Sequence, residues 1–153
     1  MILVDTSAWV ELLRATGSAT HLELRRLIES GADVAVTEPV LMELYAGARS
    51  DAEESLLRDA MAPFPLLALG GLADFELAAR IYRACRSAGE TLRGIQDCLI
   101  AAPAVRVGAP VLHTDADFDT IARHTSLRIH SSPRPPPDVI PRARRPRGDP
   151  TRS

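Results

Sequence analysis

The feature that most constrains this chain is its opening run of four apolar residues, 1–4, which ends at Asp5 and is followed by two small hydroxyl residues. A short run that is apolar on both faces is typical of a strand buried inside a parallel sheet. In open parallel α/β sheets the ligand site lies beyond the carboxyl ends of the strands. The opening stretch therefore predicts a central strand that delivers the Asp5 carboxylate to the functional edge of a sheet.

Strand-like and helix-like segments alternate along the rest of the chain. Further strands are predicted at residues 33–36, 66–69, 110–113 and 127–130, the second of them poorly defined. Helical spacing of apolar residues, with capping residues and glycines at the ends, predicts helices at about residues 8–14, 18–30, 39–48, 51–61, 72–88, 94–107 and 116–124. Such alternation indicates an α/β fold with a parallel sheet covered on both faces.

The composition is that of a soluble globular domain, with 46% hydrophobic and 25% charged residues in a chain of 153. No apolar run is long enough to span a bilayer, and no basic segment precedes an apolar one at the N-terminus, so a cytoplasmic protein without a membrane partner is expected. Cys85 and Cys98 lie in apolar helical patterns and are interpreted as buried thiols, with no disulfide framework or zinc site.

The charge is unevenly distributed along the chain. Residues 131–153 carry six arginines and two aspartates, which gives +4, and residues 1–130 therefore carry −6. Proline and arginine displace apolar residues after position 130, so we expect a folded domain at 1–130 and a disordered or extended tail at 131–153. All 18 basic residues are arginine, which excludes any mechanism that needs a lysine.

Two acids follow apolar strands directly. Asp115 repeats the position of Asp5, at the end of a strand and beside a hydroxyl residue, and two acids at one sheet edge point to a metal or phosphoryl site. The alternative is that Asp115 or Asp117 only caps the next helix. That alternative is weaker for Asp5, because Thr6 or Ser7 could provide the cap.

Two further acids lie on predicted helices. Asp97 stands in a nearly all-apolar helix, where a free carboxylate is costly unless it is paired, hydrogen-bonded or metal-bound. The alternative for Asp97 is an N-cap of a helix that begins at Cys98. Glu43 is the one acid among the inward positions of its helix, and a solvated side chain is the default interpretation there.

Carboxylates that converge repel one another, which raises their pKa values and destabilises the fold. A divalent cation reverses this effect by holding the ionised acids together. An all-oxygen ligand set without a Cys/His set favours Mg²⁺ or Mn²⁺. Such sites hydrolyse phosphodiesters by polarising the phosphate and activating a water molecule.

Four segments of the chain resemble the motifs of PIN-domain ribonucleases in order and spacing, and most closely those of the VapC toxins of bacterial VapBC toxin–antitoxin modules. They are LVDTSAW at residues 3–9, EP and MELYAG within 38–47, DCLIAA at 97–102, and HTDADF at 113–118. The resemblance covers about residues 1–130. It implies a three-layer α/β/α sandwich, Mg²⁺- or Mn²⁺-dependent endonucleolytic cleavage of RNA, inhibition by a cognate VapB-like antitoxin, and a homodimer.

The resemblance also implies roles for individual residues. The catalytic, metal-binding quartet corresponds to Asp5, Glu43, Asp97 and Asp115, with Asp117 as an accessory acid and Thr6 and Thr114 orienting the site through their hydroxyls. Apolar positions that could receive an antitoxin helix are Trp9, Leu12, Leu13, Leu41 and Leu44. The alternative for each of these apolar residues is ordinary core packing.

The sequence lacks the motifs that functions of several other classes require. Phosphatases of the haloacid dehalogenase type need a second Asp two residues after the first, where this chain has Ser7, and response-regulator receivers need a lysine. The glycine motifs of nucleotide-binding folds are absent. A catalytically impaired module that binds antitoxin or RNA without cleaving is the remaining alternative, because Pro103 predicts a kink in the helix that carries Asp97.

Overall fold

The structure is a computed structural model that describes residues 1–132. The strands within this part are β1 (Ile2–Val4), β2 (Val34–Ala35), β3 (Pro110–Leu112) and β4 (Arg128–Ile129). The helices are α1 (Thr6–Leu13), α2 (Ala19–Glu29), α3 (Glu38–Ala46), α4 (Asp51–Met61), α5 (Leu72–Ser87), α6 (Gln96–Val107) and α7 (Ala116–His124). The order of elements follows the predicted alternation.

The four strands form one parallel sheet in the order β2-β1-β3-β4. The opening strand β1 is central, with Leu3 paired to Ala35 on one side and to Val111 on the other. Leu3 and Val4 are completely buried, as the apolar run predicts. Helices cover the sheet, which confirms the three-layer α/β/α sandwich. The carboxyl ends of β1 and β3 are adjacent, so the residues that follow these two strands share one edge of the sheet.

The predicted strand at residues 66–69 is wrong as a full strand. This segment makes a single parallel bridge, between Leu66 and Val36, beside β2. Pro63 and Pro65 flank the start of the segment, and proline cannot donate a hydrogen bond to a sheet. Leu66 is also about half exposed, so little apolar burial favours a longer pairing.

Helix starts follow the local capping chemistry. Ser18 caps α2, with its Oγ accepting a hydrogen bond from the N–H of His21 at 3.1 Å. A capping box begins α4: Ser50 Oγ accepts from Glu53 N–H, and the Glu53 carboxylate accepts from Arg49 N–H. Thr37 stands at the N-cap of α3, but its side chain makes no capping bond there.

Helix α6 runs without interruption from Gln96 to Val107 and contains the buried Pro103. It packs along α5, and an ion pair between Arg106 and Asp74 joins the two helices, with Arg106 Nε 3.0 Å from Asp74 Oδ1. The thiols of Cys85 and Cys98 are free and buried, as predicted. This α5–α6 pair is the platform that carries Asp97.

No helix among residues 1–132 has both the length and the apolar character needed to cross a membrane. The predicted Arg/Pro-rich tail lies outside the described residues, apart from its first two positions. Among the apolar residues expected to receive a partner helix, Trp9 and Leu44 are buried in the core, whereas Leu13 is 45% exposed. Core packing, the alternative interpretation, is therefore correct for Trp9 and Leu44.

Candidate metal centre

Asp5 is held at the carboxyl end of β1 by the start of the next helix. It is the N-cap of α1, and its Oδ2 accepts hydrogen bonds from the N–H of Ser7 at 3.0 Å and from Ser7 Oγ at 2.6 Å. Only 3% of the residue is exposed. The expectation that Thr6 or Ser7 would provide the cap instead of Asp5 is therefore wrong. Asp5 caps the helix and faces the sheet edge as well.

Ser7 joins the two central strands at this edge. Its hydroxyl donates to Asp5 and accepts a hydrogen bond from the backbone N–H of Thr114 at 3.0 Å. Within residues 1–132, Thr6 Oγ1 is buried without a hydrogen-bond partner, and Thr114 contributes its backbone N–H. The orienting role of the two hydroxyls stays a prediction. Ser7 was not among the predicted site residues, although its position after Asp5 was the available signal.

Asp115 and Asp117 follow β3 and begin α7. Asp115 is the N-cap, and its Oδ1 accepts from the N–H of Asp117 at 3.0 Å, so Asp115 does cap the helix, whereas Asp117 does not. Asp117 is 7% exposed, and its Oδ2 accepts from the backbone N–H of Arg93 at 2.9 Å. Capping does not remove Asp115 from the site, because one carboxylate oxygen can accept further interactions.

Asp97 completes a group of three acids. Helix α6 begins at Gln96, so Asp97 lies within its first turn, and the alternative of an N-cap before Cys98 is wrong. Carboxylate oxygens of Asp97, Asp115 and Asp117 all lie within 4.8 Å of one another. We call these three residues the acid cluster. The structure thus gives Asp117, predicted as an accessory acid, a position equivalent to that of Asp115.

The electrostatics of the site show the cost of this convergence. Burial and the negative charges of Asp115, Asp5 and Asp117 raise the pKa of Asp97 to about 7. Burial also raises the pKa of Asp5, against the hydrogen bonds from Ser7, and the charge of Glu43 adds to the rise. Burial is the largest cause of both shifts, and the charges of the neighbouring carboxylates add to it.

Glu43 stands on the Asp5 side of the site. It is half-buried on α3 rather than fully solvated, and it interacts electrostatically with Asp5 without joining the acid cluster. It lines a cleft of about 240 Å³ whose other walls include Thr6, Val10, Leu13, Leu44 and Leu57. The four residues of the predicted quartet thus lie around one end of the sheet, with Asp97 and Asp115 in direct proximity.

Arg93 is the one basic residue that contacts the acid cluster within residues 1–132. Its Nη2 contacts Asp115 Oδ1, and its Nε lies 3.5 Å from Asp117 Oδ2. Its side chain is 70% exposed. Arg93 was not predicted, because an arginine in a glycine-flanked loop carries no local signal of a partner 22 residues away.

The cluster fits a hard divalent cation. Three oxygen ligands from aspartates that already lie within 4.8 Å of one another match the preference of Mg²⁺ and Mn²⁺. A bound cation would also offset the carboxylate repulsion that, after burial, contributes to the raised pKa of Asp97. Asp97, Asp115 and Asp117 would therefore hold the ion, and Asp5 and Glu43 would face it from the neighbouring strand and helix.

A parallel α/β/α sandwich with acids gathered at the carboxyl ends of β1 and β3 defines the PIN-domain class. The sequence profile described as "PIN domain" matches residues 2–124. Ribonuclease VapC11 of Mycobacterium tuberculosis is 52% identical over 132 residues, which cover 86% of this chain and 98% of that protein. The chain belongs to the VapC ribonucleases of the PIN-domain family.

Solved structures share the same fold. VapBC2 from Rickettsia felis, bound to a DNA fragment from its promoter, matches with a TM-score of 0.68 and 18% identity over 85% of this chain and 98% of that one. VapC20 of Mycobacterium tuberculosis, described as a sarcin–ricin loop cleaving toxin, matches with a TM-score of 0.57 and 23% identity over 84% and 99%. At these identities the likeness concerns the fold alone.

Proposed function

We propose that this protein is a divalent-metal-dependent endoribonuclease and the toxin of a toxin–antitoxin module, with Mg²⁺ or Mn²⁺ as its cofactor. The observation that carries the proposal is the convergence of Asp97, Asp115 and Asp117, with Asp5 beside them. The membership in the VapC ribonucleases supports the same activity. RNA of the tRNA or rRNA class is the proposed substrate, in line with the name of VapC20.

Different residues of the chain would have different roles in such a site. Asp97, Asp115 and Asp117 would bind the cation, which when bound supplies a polarised phosphate and an activated water. Ser7 fixes Asp5 and ties it to the strand end that carries Asp115. Glu43 faces Asp5 from α3 and adds a carboxylate that can accept a proton on that side.

The cleft beside Glu43 supports the proposal of an antitoxin partner. Its walls combine the exposed Leu13 and the buried Leu44 with charged residues at the rim, among them Arg14 and Glu53. An amphipathic helix from a VapB-like antitoxin would fit such a surface and cover the approach to the site. The neighbour from Rickettsia felis is named as VapBC2, which supports the proposal of an antitoxin partner. A homodimer and a cytoplasmic location belong to the same proposal.

One assay tests the proposed activity. Purified protein is incubated with tRNA and with ribosomal RNA, with Mg²⁺ or Mn²⁺ or with a chelator, beside the variants Asp5→Asn and Asp59→Asn. Asp59 is an exposed acid on α4 and serves as the matched control. We expect wild type and Asp59→Asn to cleave only with metal, and Asp5→Asn to lose at least about 100-fold, beyond the usual effect of changes to residues that only orient metal ligands.

The same assay distinguishes the proposed enzyme from the alternative, a module that binds RNA or antitoxin without cleaving. Wild-type protein that cuts neither RNA with either metal contradicts the proposed activity. Equal cleavage by Asp5→Asn and wild type would exclude a role for Asp5. Cleavage that continues in the presence of the chelator would exclude the metal.

A further inference from the structure

Arg93 lies in a loop, residues 88–95. Three contacts that do not involve the Arg93 guanidinium hold this loop in place. Glu90 binds Arg123 and His124 of α7, with contacts of 2.9 and 2.7 Å. Leu92 is 4% exposed in the core. The backbone N–H of Arg93 donates to Asp117 at 2.9 Å. The loop therefore has its position from these contacts, and the side chain of Arg93 is not needed for it.

The guanidinium of Arg93 nevertheless projects over the acid cluster. It contacts Asp115 and approaches Asp117, two of the three clustered acids, while 70% of its side chain remains in solvent. An exposed ion pair of this kind contributes little to stability. The positively charged guanidinium thus lies beside the site and is open to solvent, where it can contact an anionic ligand.

The charges of the site indicate when Arg93 would leave the carboxylates and bind an anionic ligand. Three carboxylates with one arginine leave the cluster negative, which repels the phosphates of RNA. A divalent ion on the same carboxylates cancels the charge that attracts Arg93, so the guanidinium loses its partners as the ion binds. The planar guanidinium then offers paired donors that match a phosphate group.

We propose that Arg93 is a substrate-binding residue that lies on the acid cluster until a divalent cation replaces it, and that then binds a phosphate of the RNA next to the scissile bond. This inference rests on the proposed function. It assigns to Arg93 two linked effects: competition with the cation, and a contact with the substrate.

The test compares Arg93→Ala and Arg93→Lys with Arg25→Ala in the full-length protein. Arg25 is the control, because its side chain is also mostly exposed and pairs with a carboxylate, that of Glu29 on α2, away from the acid cluster. Mn²⁺ affinity is measured by calorimetry without RNA, and kcat and KM are measured at saturating Mn²⁺ on the RNA that the wild type cleaves. The salt dependence of kcat/KM gives a third readout.

We expect Arg93→Ala to bind Mn²⁺ about fivefold more tightly than wild type, since one competing cation is gone. Its KM should rise about tenfold with kcat within about threefold, and its salt slope should fall by about one. Arg93→Lys, which keeps the charge but not the paired donors, should recover only part of the KM, and Arg25→Ala should match wild type.

Two results would overturn the inference while leaving the proposed function intact: wild-type KM and salt slope in Arg93→Ala, or Mn²⁺ binding that is unchanged or weaker in that variant. A wild-type protein that neither binds Mn²⁺ nor cleaves RNA would instead contradict the proposed function, and the inference with it. The two failures are therefore distinguishable from the behaviour of the wild type.

Discussion

Ser7 donates its hydroxyl hydrogen to Asp5 Oδ2 across 2.6 Å, and the same hydroxyl accepts the backbone N–H of Thr114. The Ser7 side chain thus links Asp5, which follows β1, to Thr114, which follows β3 and precedes Asp115. Removing the hydroxyl leaves Asp5 Oδ2 held by the Ser7 backbone N–H without the shorter hydroxyl bond, and it leaves the Thr114 N–H without this acceptor. The two central strands would then lose their side-chain link at the sheet edge where the acids gather.

Ser7→Ala is therefore predicted to reduce RNA cleavage by about tenfold, as for other residues that orient the ligands of a metal site. The expected loss of stability is about 1 kcal/mol, the net value of one hydrogen bond. Ser18→Ala is the control, since it removes a helix cap on α2, none of whose residues lines the cleft beside Glu43. Equal losses of activity in the two variants, measured at a temperature where both are folded, would contradict the orienting role.

The second prediction concerns stability against pH in the metal-free protein. Asp97 has a folded-state pKa of about 7, above the ordinary value of 3.8, so the folded state keeps a proton that the unfolded state has released. Stability should therefore be highest at low pH in this window and should fall as pH rises from about 4 to 7. Thermal unfolding with a chelator measures this fall.

Asp97→Asn should flatten much of that slope, because the amide has no proton to lose. A smaller slope of the same sign should remain, since the pKa of Asp5 is raised as well. Asp59→Asn, which changes an exposed acid, should keep the wild-type slope. A Tm of the wild-type protein that rises steadily from pH 4 to 7 would show that the pKa of Asp97 is not raised in the folded state.

Metal addition supplies the third prediction. A cation at the acid cluster should raise the Tm of the wild type, with about 2.7 kcal/mol of stabilisation at a concentration 100 times the Kd. The stabilisation should be smaller at pH 5 than at pH 8, because Asp97 must release its proton to become a ligand. Calorimetry in buffers of different ionisation enthalpy should detect that proton at pH 6. Equal stabilisation at both pH values would contradict the coupling between metal binding and the release of the Asp97 proton.

The fourth prediction addresses Pro103. Helix α6 is continuous through this residue, and Asp97 lies in the acid cluster in the same structure. Pro103→Ala should consequently leave RNA cleavage within about threefold of wild type, while a helix-interior alanine removes the strain that proline introduces. A large gain of activity in Pro103→Ala would support the impaired-module alternative instead.

The fifth prediction concerns the ion pair that joins α5 to α6. The Asp74 carboxylate is 1% exposed and is held by Arg106 and by the N–H of Gly70; burial raises its pKa, but these contacts outweigh it, so the pKa is lowered. Arg106→Ala leaves this charge buried and should cost about 3 kcal/mol in denaturant unfolding. Arg25→Ala, an exposed pair, should cost less than about 1 kcal/mol.

The sequence predicted the parts of this molecule that follow from local patterns. The opening apolar run identified β1 as central, and the rule for parallel strands identified Asp5 and Asp115 as neighbours at one edge. The sequence also predicted that Asp97 needs a compensating partner or cation, because a carboxylate among apolar helical residues is otherwise costly, and in the structure this half-buried acid lies in the acid cluster.

What the sequence did not predict depends on contacts between distant residues. Arg93 meets the acids from a loop 22 and 24 residues before them, and no periodicity marks which arginine does so. Asp117 was predicted as an accessory or capping residue, because the choice between a cap and a ligand is made by the packing of α6 against α7. Ser7 was overlooked because its second hydrogen bond is to residue 114 on another strand.

The most direct test is the position of a metal ion in crystals of the protein grown with Mn²⁺, located by its anomalous scattering. We predict one or more peaks about 2.0–2.3 Å from carboxylate oxygens of Asp97 and of Asp115 or Asp117, distances typical of such hard cations. A fully ordered acid cluster with no peak at saturating Mn²⁺, or with the ion bound only elsewhere on the surface, would contradict the assignment of the acid cluster as the metal site.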